Sequence, residues 1–99
     1  MKPSDLSATE ARHNPAEHRF EITVEGRLAV ADYTVNHETG QFVMTHTFVP
    51  PELRGKGLAE KVVRAALDYA RQQGFKVVPA CSYVQVFIER NQEYKSLLA

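Results

Sequence analysis

The hydrophobic pattern of this chain changes from a strand period to a helix period at Pro50-Pro51, and this change limits the fold to one in which three strands come first and a long helix follows. Before the prolines, polar and apolar residues alternate as in a half-buried strand, or apolar and β-branched residues dominate. Three such segments cover residues 19–25, 28–35 and 41–49. The short connections between them predict an antiparallel meander, and the prolines end it because they lack a backbone donor.

A long amphipathic helix is predicted after the prolines, over about residues 57–73. Its apolar side chains recur on one face and its charged side chains lie largely on the other. Gly74 is suited to close this helix in a left-handed conformation. Residues 75–79 predict a short strand, which should pair in parallel with the third strand because a helix connects the two.

Two further helical segments are predicted near the C-terminal end of the chain. Ser82 and Gln85 match a capping box, so a second helix is expected over residues 83–90, followed by a helical piece over 91–98. The predicted fold class is therefore α+β. Its mixed sheet contains a three-stranded antiparallel meander, followed by a helix, a parallel strand and C-terminal helices.

Length and composition indicate one globular domain. The chain has 99 residues, of which 43% are hydrophobic and 24% charged. Residues 1–17 show no hydrophobic period and contain two prolines. We therefore expect a flexible N-terminal arm over residues 1–17 and a compact domain over residues 18–99.

Charge, hydropathy and cysteine content restrict the partners and the location. Twelve basic residues balance twelve acidic ones, which disfavours general binding to nucleic acid. No apolar run approaches the roughly 20 residues needed to cross a bilayer, and the first residues lack the apolar core of a secretory signal. The single cysteine, Cys81, suits a reducing compartment, so the cytoplasm is the expected location, and the histidines and this cysteine have no metal-ligand spacing. The sequence does not determine the oligomeric state, for which a monomer is the default expectation.

The segment Arg54-Gly55-Lys56-Gly57-Leu58-Ala59 joins the third strand to the long helix. Its two glycines allow the backbone to turn sharply and to approach a ligand closely. The free amides of the first helical turn and the helix dipole favour an anion such as a pyrophosphate, and Arg54 and Lys56 add positive charge. The alternative interpretation is a glycine turn that only starts a helix. A Walker A loop fits worse because Gly57 follows Lys56, and a dinucleotide fingerprint fits worse because Glu60 replaces its third small residue.

This loop resembles the acetyl-CoA signature of GNAT N-acetyltransferases, Gln/Arg-x-x-Gly-x-Gly/Ala. The wider sequence is similar to the very short, stand-alone YjdJ-like N-acetyltransferase domain proteins. The segments that carry the similarity are His46-Thr47-Phe48-Val49, the loop with its helix, Val78-Pro79-Ala80-Cys81-Ser82-Tyr83 and Glu93-Tyr94. The resemblance covers roughly residues 18–97. The chain departs from many of these proteins at Asn91-Gln92, where they carry His-Pro, and it lacks the early helices of full-length GNAT enzymes.

The resemblance implies a GNAT-like sheet that splays beside the third strand and binds acetyl-CoA or coenzyme A. The pantetheine arm would follow that strand at Thr47, Phe48 and Val49. The pyrophosphate would lie on the amides of residues 55–59, between Arg54 and Lys56.

Three residues are candidates for catalysis. Cys81 precedes a helix N-terminus, whose dipole favours a thiolate, although a free cysteine is often a small buried residue. Tyr83 follows in the first turn and could donate a proton or pack against the pocket. His46 has the strand parity of Phe42 and Met44, which favours a core histidine over a general base.

The main hypothesis is an enzyme that moves an acetyl group from acetyl-CoA to a primary amine, by direct attack or through Cys81. The first alternative is a non-catalytic module that binds coenzyme A or an acyl-CoA, which the missing early helices favour. The second alternative is a structural domain whose glycine loop is only a turn.

Overall fold

The computed structural model describes residues 10–99 and contains one five-stranded sheet. Its strands are β1 (Arg12–Asn14), β2 (Arg19–Val24), β3 (Arg27–Asn36), β4 (Gln41–Phe48) and β5 (Lys76–Pro79), and they lie in this order across the sheet. The helices are α1 (Leu58–Gln73) and α2 (Ser82–Arg90). Short 3-10 helices cover Pro15–Glu17, Pro51–Leu53 and Gln92–Leu97.

The pairing of the strands confirms the predicted mixed α+β sheet. β2, β3 and β4 form the antiparallel meander, and β5 runs parallel to β4 from Gln41↔Lys76 to Met44↔Pro79. The predicted bounds of these strands and of both α-helices agree with the structure to within one residue. The helical piece near the C-terminal end is a 3-10 helix, and after it Leu98 bridges to Val77 of β5.

Helix α1 covers one face of the sheet and forms the core with it. Its fully buried side chains are Leu58, Val62, Val63, Ala66, Leu67 and Ala70. They pack in one cluster with the inward-facing residues of the strands, among them Ile22, Ala31 and Phe42. Burial of each large aliphatic side chain stabilises the fold by about 1.5–3 kcal/mol. This packing fixes the N-terminus of α1 beside the end of β4, where the glycine loop joins them.

Strand β1 departs from the expected flexible arm over residues 1–17. Residues 1–9 of that arm lie outside the described residues, but Arg12–Asn14 pair antiparallel with β2. The His13 ring stacks on Phe20 at 4.3 Å, and His13 Nε2 is hydrogen-bonded to the Tyr33 hydroxyl. These contacts join β1 to the core, although the local sequence has no strand period. The ordered fold therefore begins before residue 18.

A β-bulge in β4 overturns the expectation that His46 lies in the core. Asp32 pairs with His46, but the next residue of β3, Tyr33, pairs with Met44, so Thr45 is an extra residue in β4. An extra residue reverses the in-out alternation of all residues that follow it. His46 is therefore exposed, although it has the sequence parity of the buried Met44.

Helix α2 begins one residue earlier than the capping box predicts. Cys81 is its N-cap residue, and Ser82 is the first residue of the helix. The Gln85 amide nitrogen bonds to the Cys81 carbonyl, and the Gln85 side chain donates to the Pro79 carbonyl at 3.0 Å. The capping-box prediction is therefore wrong. Because Cys81 takes the N-cap position instead of Ser82, the cysteine itself lies at the helix N-terminus. Within residues 10–99, no helix is long and apolar enough to cross a membrane.

Candidate functional site

The sheet opens between β4 and β5 beyond Met44. The ladder between these strands ends at Pro79, and the chain then contacts β4 once more, where the Cys81 amide donates to the Met44 carbonyl at 3.0 Å. β4 continues to Phe48, and no described strand pairs with its last four residues on that side. The gap leads into a cavity of about 400 Å³, which we call the loop cavity.

The loop cavity lies at the junction of three elements. Its walls are Thr47 at the end of β4 with Val49 just after it, the glycine loop with Leu53, and the first turn of α1 at residues 58–60. Tyr83 of α2 closes it on the remaining side. Among the residues predicted to bind an anion, Arg54, Gly55, Gly57, Leu58 and Ala59 line this cavity, and Lys56 does not.

The two loop glycines have left-handed backbones that shape the anion site. Their φ angles are +81° at Gly55 and +78° at Gly57, a region that side chains disfavour. A Cβ atom added to either would meet no other atom within 4 Å, so the space beside them is open. The first intrahelical bond of α1 runs from the Lys61 amide to the Gly57 carbonyl at 3.2 Å. The amides of residues 58–60 precede it and have no acceptor within the helix.

The positive charge at this site comes mainly from Arg54. Its Nε donates to the Val49 carbonyl at 3.0 Å, which holds the guanidinium between β4 and the loop. Its remaining nitrogens are available to an anion in the loop cavity. Lys56 is exposed at the outside of the loop. The amides, the helix dipole and Arg54 together favour a negatively charged group at the start of α1.

The bulge decides which β4 side chains reach the loop cavity. After Thr45, the side chains of Thr47 and Val49 face the cavity, whereas His46 and Phe48 lie on the opposite face of the sheet. There the His46 and Phe48 rings stack at 6.4 Å, and Phe48 is 43% exposed. His46 therefore does not join Cys81 and Tyr83, and the structure gives it no place among groups that could act on a ligand in the loop cavity.

The Cys81 thiol lies behind Thr47, at the end of the gap. Its Sγ is 3.5 Å from Thr47 Oγ1, and the residue is half-buried. Burial alone raises the pKa of this thiol, but its net pKa is below the usual value because the Thr47 hydroxyl and the backbone amides of Val84, Tyr83 and Thr47 stabilise the thiolate. The expected depression of the Cys81 pKa is confirmed in direction. Cys81 does not line the loop cavity itself, but it contacts Thr47, which does.

The Tyr83 hydroxyl stays protonated at neutral pH. Its pKa is raised, first by burial and then by the carboxylate of Glu60, while Arg90 acts in the opposite direction. A protonated phenol beside the loop cavity can donate a hydrogen bond or a proton to a ligand there.

Sequence reasoning missed two residues that line the loop cavity, Leu53 and Glu60. Leu53 is buried at the end of the 3-10 helix and supports the loop from below. Glu60 lies in the first turn of α1, where its carboxylate forms an ion pair with Arg64 at 3.3 Å. The helical period placed Glu60 on the charged face of α1, but only the position of α2 shows that this part of the face borders a cavity. Residues 10–99 contain no cluster of three or more His, Cys, Asp or Glu side chains that could hold a metal.

Comparison with known proteins gives a consistent set of matches. A family model described as GCN5-related N-acetyltransferase matches residues 19–97. The protein NATD1 of Xenopus tropicalis is 28% identical over 94 residues, which cover 92% of this chain and 83% of that protein. NATD1 of Bos taurus is 35% identical over 48 residues, 48% of this chain and 42% of that protein.

A solved structure shares the same fold. The NMR solution structure of a GCN5-like protein from Staphylococcus aureus superposes with a TM-score of 0.70 at 26% sequence identity. The superposition covers 97% of this chain and 90% of that one. The similarity of fold therefore extends over nearly the whole of both chains.

Proposed function

This chain belongs to the GCN5-related N-acetyltransferase family and is an acyltransferase, and we propose that it transfers the acetyl group of acetyl-CoA to a primary amine. The observation that carries this proposal is the continuity between the anion site at the start of α1 and the gap beside β4. A ligand with a pyrophosphate at one end and a thioester at the other needs both features in one channel.

The described residues fit coenzyme A in three respects. The free amides of residues 58–60 and the Arg54 guanidinium suit a pyrophosphate. The open space beside Gly55 and Gly57 allows phosphate oxygens to approach the backbone. The end of β4, which no described strand covers, suits the amide groups of a pantetheine arm, because extended chains bind to free strand edges.

We further propose that the acetyl group passes through Cys81. The thiolate form, which its surroundings favour, attacks the thioester carbonyl and forms an acetyl–Cys81 thioester, while the bond to the coenzyme sulfur breaks. Tyr83 gives its proton to the leaving coenzyme thiolate. The amine then attacks the acetyl–Cys81 carbonyl, releases the Cys81 thiolate as the amide forms, and returns a proton to the Tyr83 phenolate.

The proposed activity is tested by the release of free coenzyme thiol from acetyl-CoA in the presence of a panel of primary amines. We expect amine-dependent release, and a mass increase of one acetyl group on Cys81 when the amine is left out. Cys81→Ala should lower the transfer rate about thirtyfold, which corresponds to about two kcal/mol of transition-state stabilisation. Full activity of this variant would leave direct attack as the mechanism. Coenzyme binding without thiol release for any amine would assign the chain to the non-catalytic binding modules.

A matched pair of glycine variants tests the anion site. Gly57→Ala places a methyl group in the loop cavity, whereas Gly40→Ala places one at a distant turn with a similar φ, +74°, and equally open surroundings. Both variants should lose about 1–2 kcal/mol of stability from the left-handed backbone. Only Gly57→Ala should weaken coenzyme A binding, by about tenfold or more in calorimetry, because it separates the amides from the phosphate. Equal affinity of both variants for coenzyme A would contradict the proposed anion site at the glycine loop.

A further inference from the structure

The gap between β4 and β5 borders both faces of the sheet, and the loop cavity lies on only one of them. On the opposite face, which we call the open face, the rim of the gap is formed by His46 and Phe48, with Ala80 across from them; all three residues are exposed. Coenzyme A, in the position proposed above, occupies the face with the loop cavity. An acceptor that binds while the coenzyme is present therefore enters from the open face, beside His46 and Phe48.

His46 and Phe48 form an exposed aromatic pair on this rim. Their ring centroids are 6.4 Å apart with 13° between the planes, and Phe48 is 43% exposed. The face of a phenyl ring carries partial negative charge, so it attracts a positively charged group that lies within about 6 Å of it. Among the described residues, arginine side chains lie over the rings of Phe87 and Tyr94, and none lies over Phe48. The Phe48 ring is therefore open to a cation of a ligand.

A carboxylate lies next to this aromatic pair. Asp32 of β3 is directly opposite His46, and residues opposite each other in an antiparallel pair share one face of the sheet. Within residues 10–99, the Asp32 side chain has no hydrogen bond and no ion pair. Its neighbour on β2, Arg19, donates instead to the Glu21 carboxylate at 2.7 Å. The pKa of Arg19 is raised mainly by this hydrogen bond to Glu21, and Asp32 is the weakest of the charges that contribute. The Asp32 carboxylate is therefore available to a cation of a ligand.

The distance from Asp32 to the gap sets the length of the acceptor. Neighbouring strands are about 4.8 Å apart, so Asp32 on β3 lies about one strand spacing behind β4. Cys81 bonds to β4 from its other side, about one spacing away in the opposite direction. The carboxylate and the reacting carbonyl at Cys81 are thus separated by roughly 10 Å. A cation at Asp32 is therefore a second charged group of an extended acceptor and not the amine that is acetylated.

We propose that the open face selects acceptors with a second positive charge, which binds to the Asp32 carboxylate beside the Phe48 ring. The substrate class is a linear aliphatic diamine. One amino group enters the gap and receives the acetyl group, and the other stays protonated at Asp32. This inference rests on the proposed acetyl transfer and adds the class of acceptor to it. The contact at Asp32 lies away from the reacting atoms, so it acts on the binding of the acceptor and therefore on KM.

The test compares hexylamine with hexamethylenediamine, which have the same carbon chain and differ in the second amino group. The release of coenzyme thiol from acetyl-CoA should give a kcat/KM about tenfold higher for the diamine, mainly through KM. About fivefold of this ratio reflects one partly exposed charge contact, and about twofold reflects the two equivalent amines of the diamine. Asp32→Asn keeps the shape of the side chain and should reduce the ratio to about twofold. The control Glu38→Gln removes one exposed carboxylate at the turn between β3 and β4 and should keep the full ratio.

A ratio of only about twofold in the unaltered protein would overturn the inference, as would an undiminished ratio in Asp32→Asn. Thiol release with other primary amines, but with neither of these two, would overturn it as well. If no amine causes release, the proposed function fails instead. An NMR titration of the coenzyme-bound protein with hexamethylenediamine gives a second measurement without turnover, and it should shift the amide signals of Asp32, His46 and Phe48. Shifts confined to residues of the loop cavity would contradict entry of the acceptor from the open face.

Discussion

At the scale of single residues, the site depends on the contact between Thr47 and Cys81. These residues are far apart in the chain, and their side chains meet because the bulge turns Thr47 towards the start of α2. The hydroxyl supplies a hydrogen bond that favours the thiolate, and together with the backbone amides of Val84, Tyr83 and Thr47 it outweighs the effect of burial on the Cys81 pKa. A thiol in an apolar gap without this neighbour would be a weaker nucleophile at neutral pH.

The residue-scale prediction is that Cys81 reacts as a thiol of lowered pKa. The rate of labelling by iodoacetamide should reach half its maximum at a lower pH than for a model thiol, because the thiolate is the reactive form. Coenzyme A should slow the labelling if it fills the loop cavity beside Thr47.

Thr47→Val provides the control, since it keeps the shape of the side chain and removes the hydroxyl. The midpoint of its labelling profile should move to higher pH, because the variant loses the side-chain hydrogen bond that lowers the pKa of Cys81. A midpoint that does not move would show that the hydroxyl has no part in stabilising the thiolate.

At the scale of elements, β1 shows how a short segment without a sequence period becomes part of the sheet. Its three residues offer few backbone bonds, so side-chain contacts must hold it. The His13 ring packs against Phe20, Tyr69 and Tyr33. Three aromatic neighbours around one imidazole hold the strand at the edge of the sheet that lies farthest from β5.

The element-scale prediction is that acid loosens β1. Burial lowers the pKa of His13, so the unfolded chain binds the proton more readily than the folded protein. The stability that neutral His13 provides is therefore present above about pH 6.5 and decreases as the pH falls below that value. Thermal melting should show a smaller decrease between pH 7.5 and 5.5 in His13→Phe than in the unaltered protein.

His46→Gln is the matched control for this experiment, because His46 is exposed on the open face of the sheet. It should retain the pH dependence of the unaltered protein. If the melting temperature of His13→Phe had the same pH dependence as that of the unaltered protein, the acid effect could not be assigned to His13.

At the scale of the whole molecule, the loop cavity has walls from three separate elements. The end of β4, the first turn of α1 and the start of α2 keep their relative positions only while the core under α1 is intact. A ligand that contacts all three binds the folded protein and not the unfolded chain. Ligand binding and folding are therefore linked.

The whole-molecule prediction is that coenzyme A raises the melting temperature. At a concentration one hundred times its Kd, the ligand should add about 2.7 kcal/mol of stability. For a domain of this size, about 1 kcal/mol corresponds to a shift of 4–8 °C in Tm. Scanning calorimetry should show the shift, and added salt should reduce it, because part of the affinity is electrostatic. A Tm that is independent of coenzyme A would contradict binding across the three elements.

The order of the elements and the position of the glycine loop follow from the amino-acid sequence alone. Periods of two residues and of 3.6 residues are local properties, so β2 to β5, α1 and α2 could be predicted to within one residue. The loop was recognisable because glycines and cations before a helix form a local pattern.

Which side chains meet depends on the packing of the elements against one another. One extra residue at Thr45 reversed the facing of His46 and Thr47, and a bulge of this kind has no signal in the period of a single strand. Glu60 and Arg90 looked like solvated charges until the packing of α1 beside α2 placed both at one pocket. The face of the sheet on which a side chain lies depends on the register with a neighbouring strand. The presence of a pocket depends on the distance between helices. Both arise from contacts between residues far apart in the chain, which no local pattern contains.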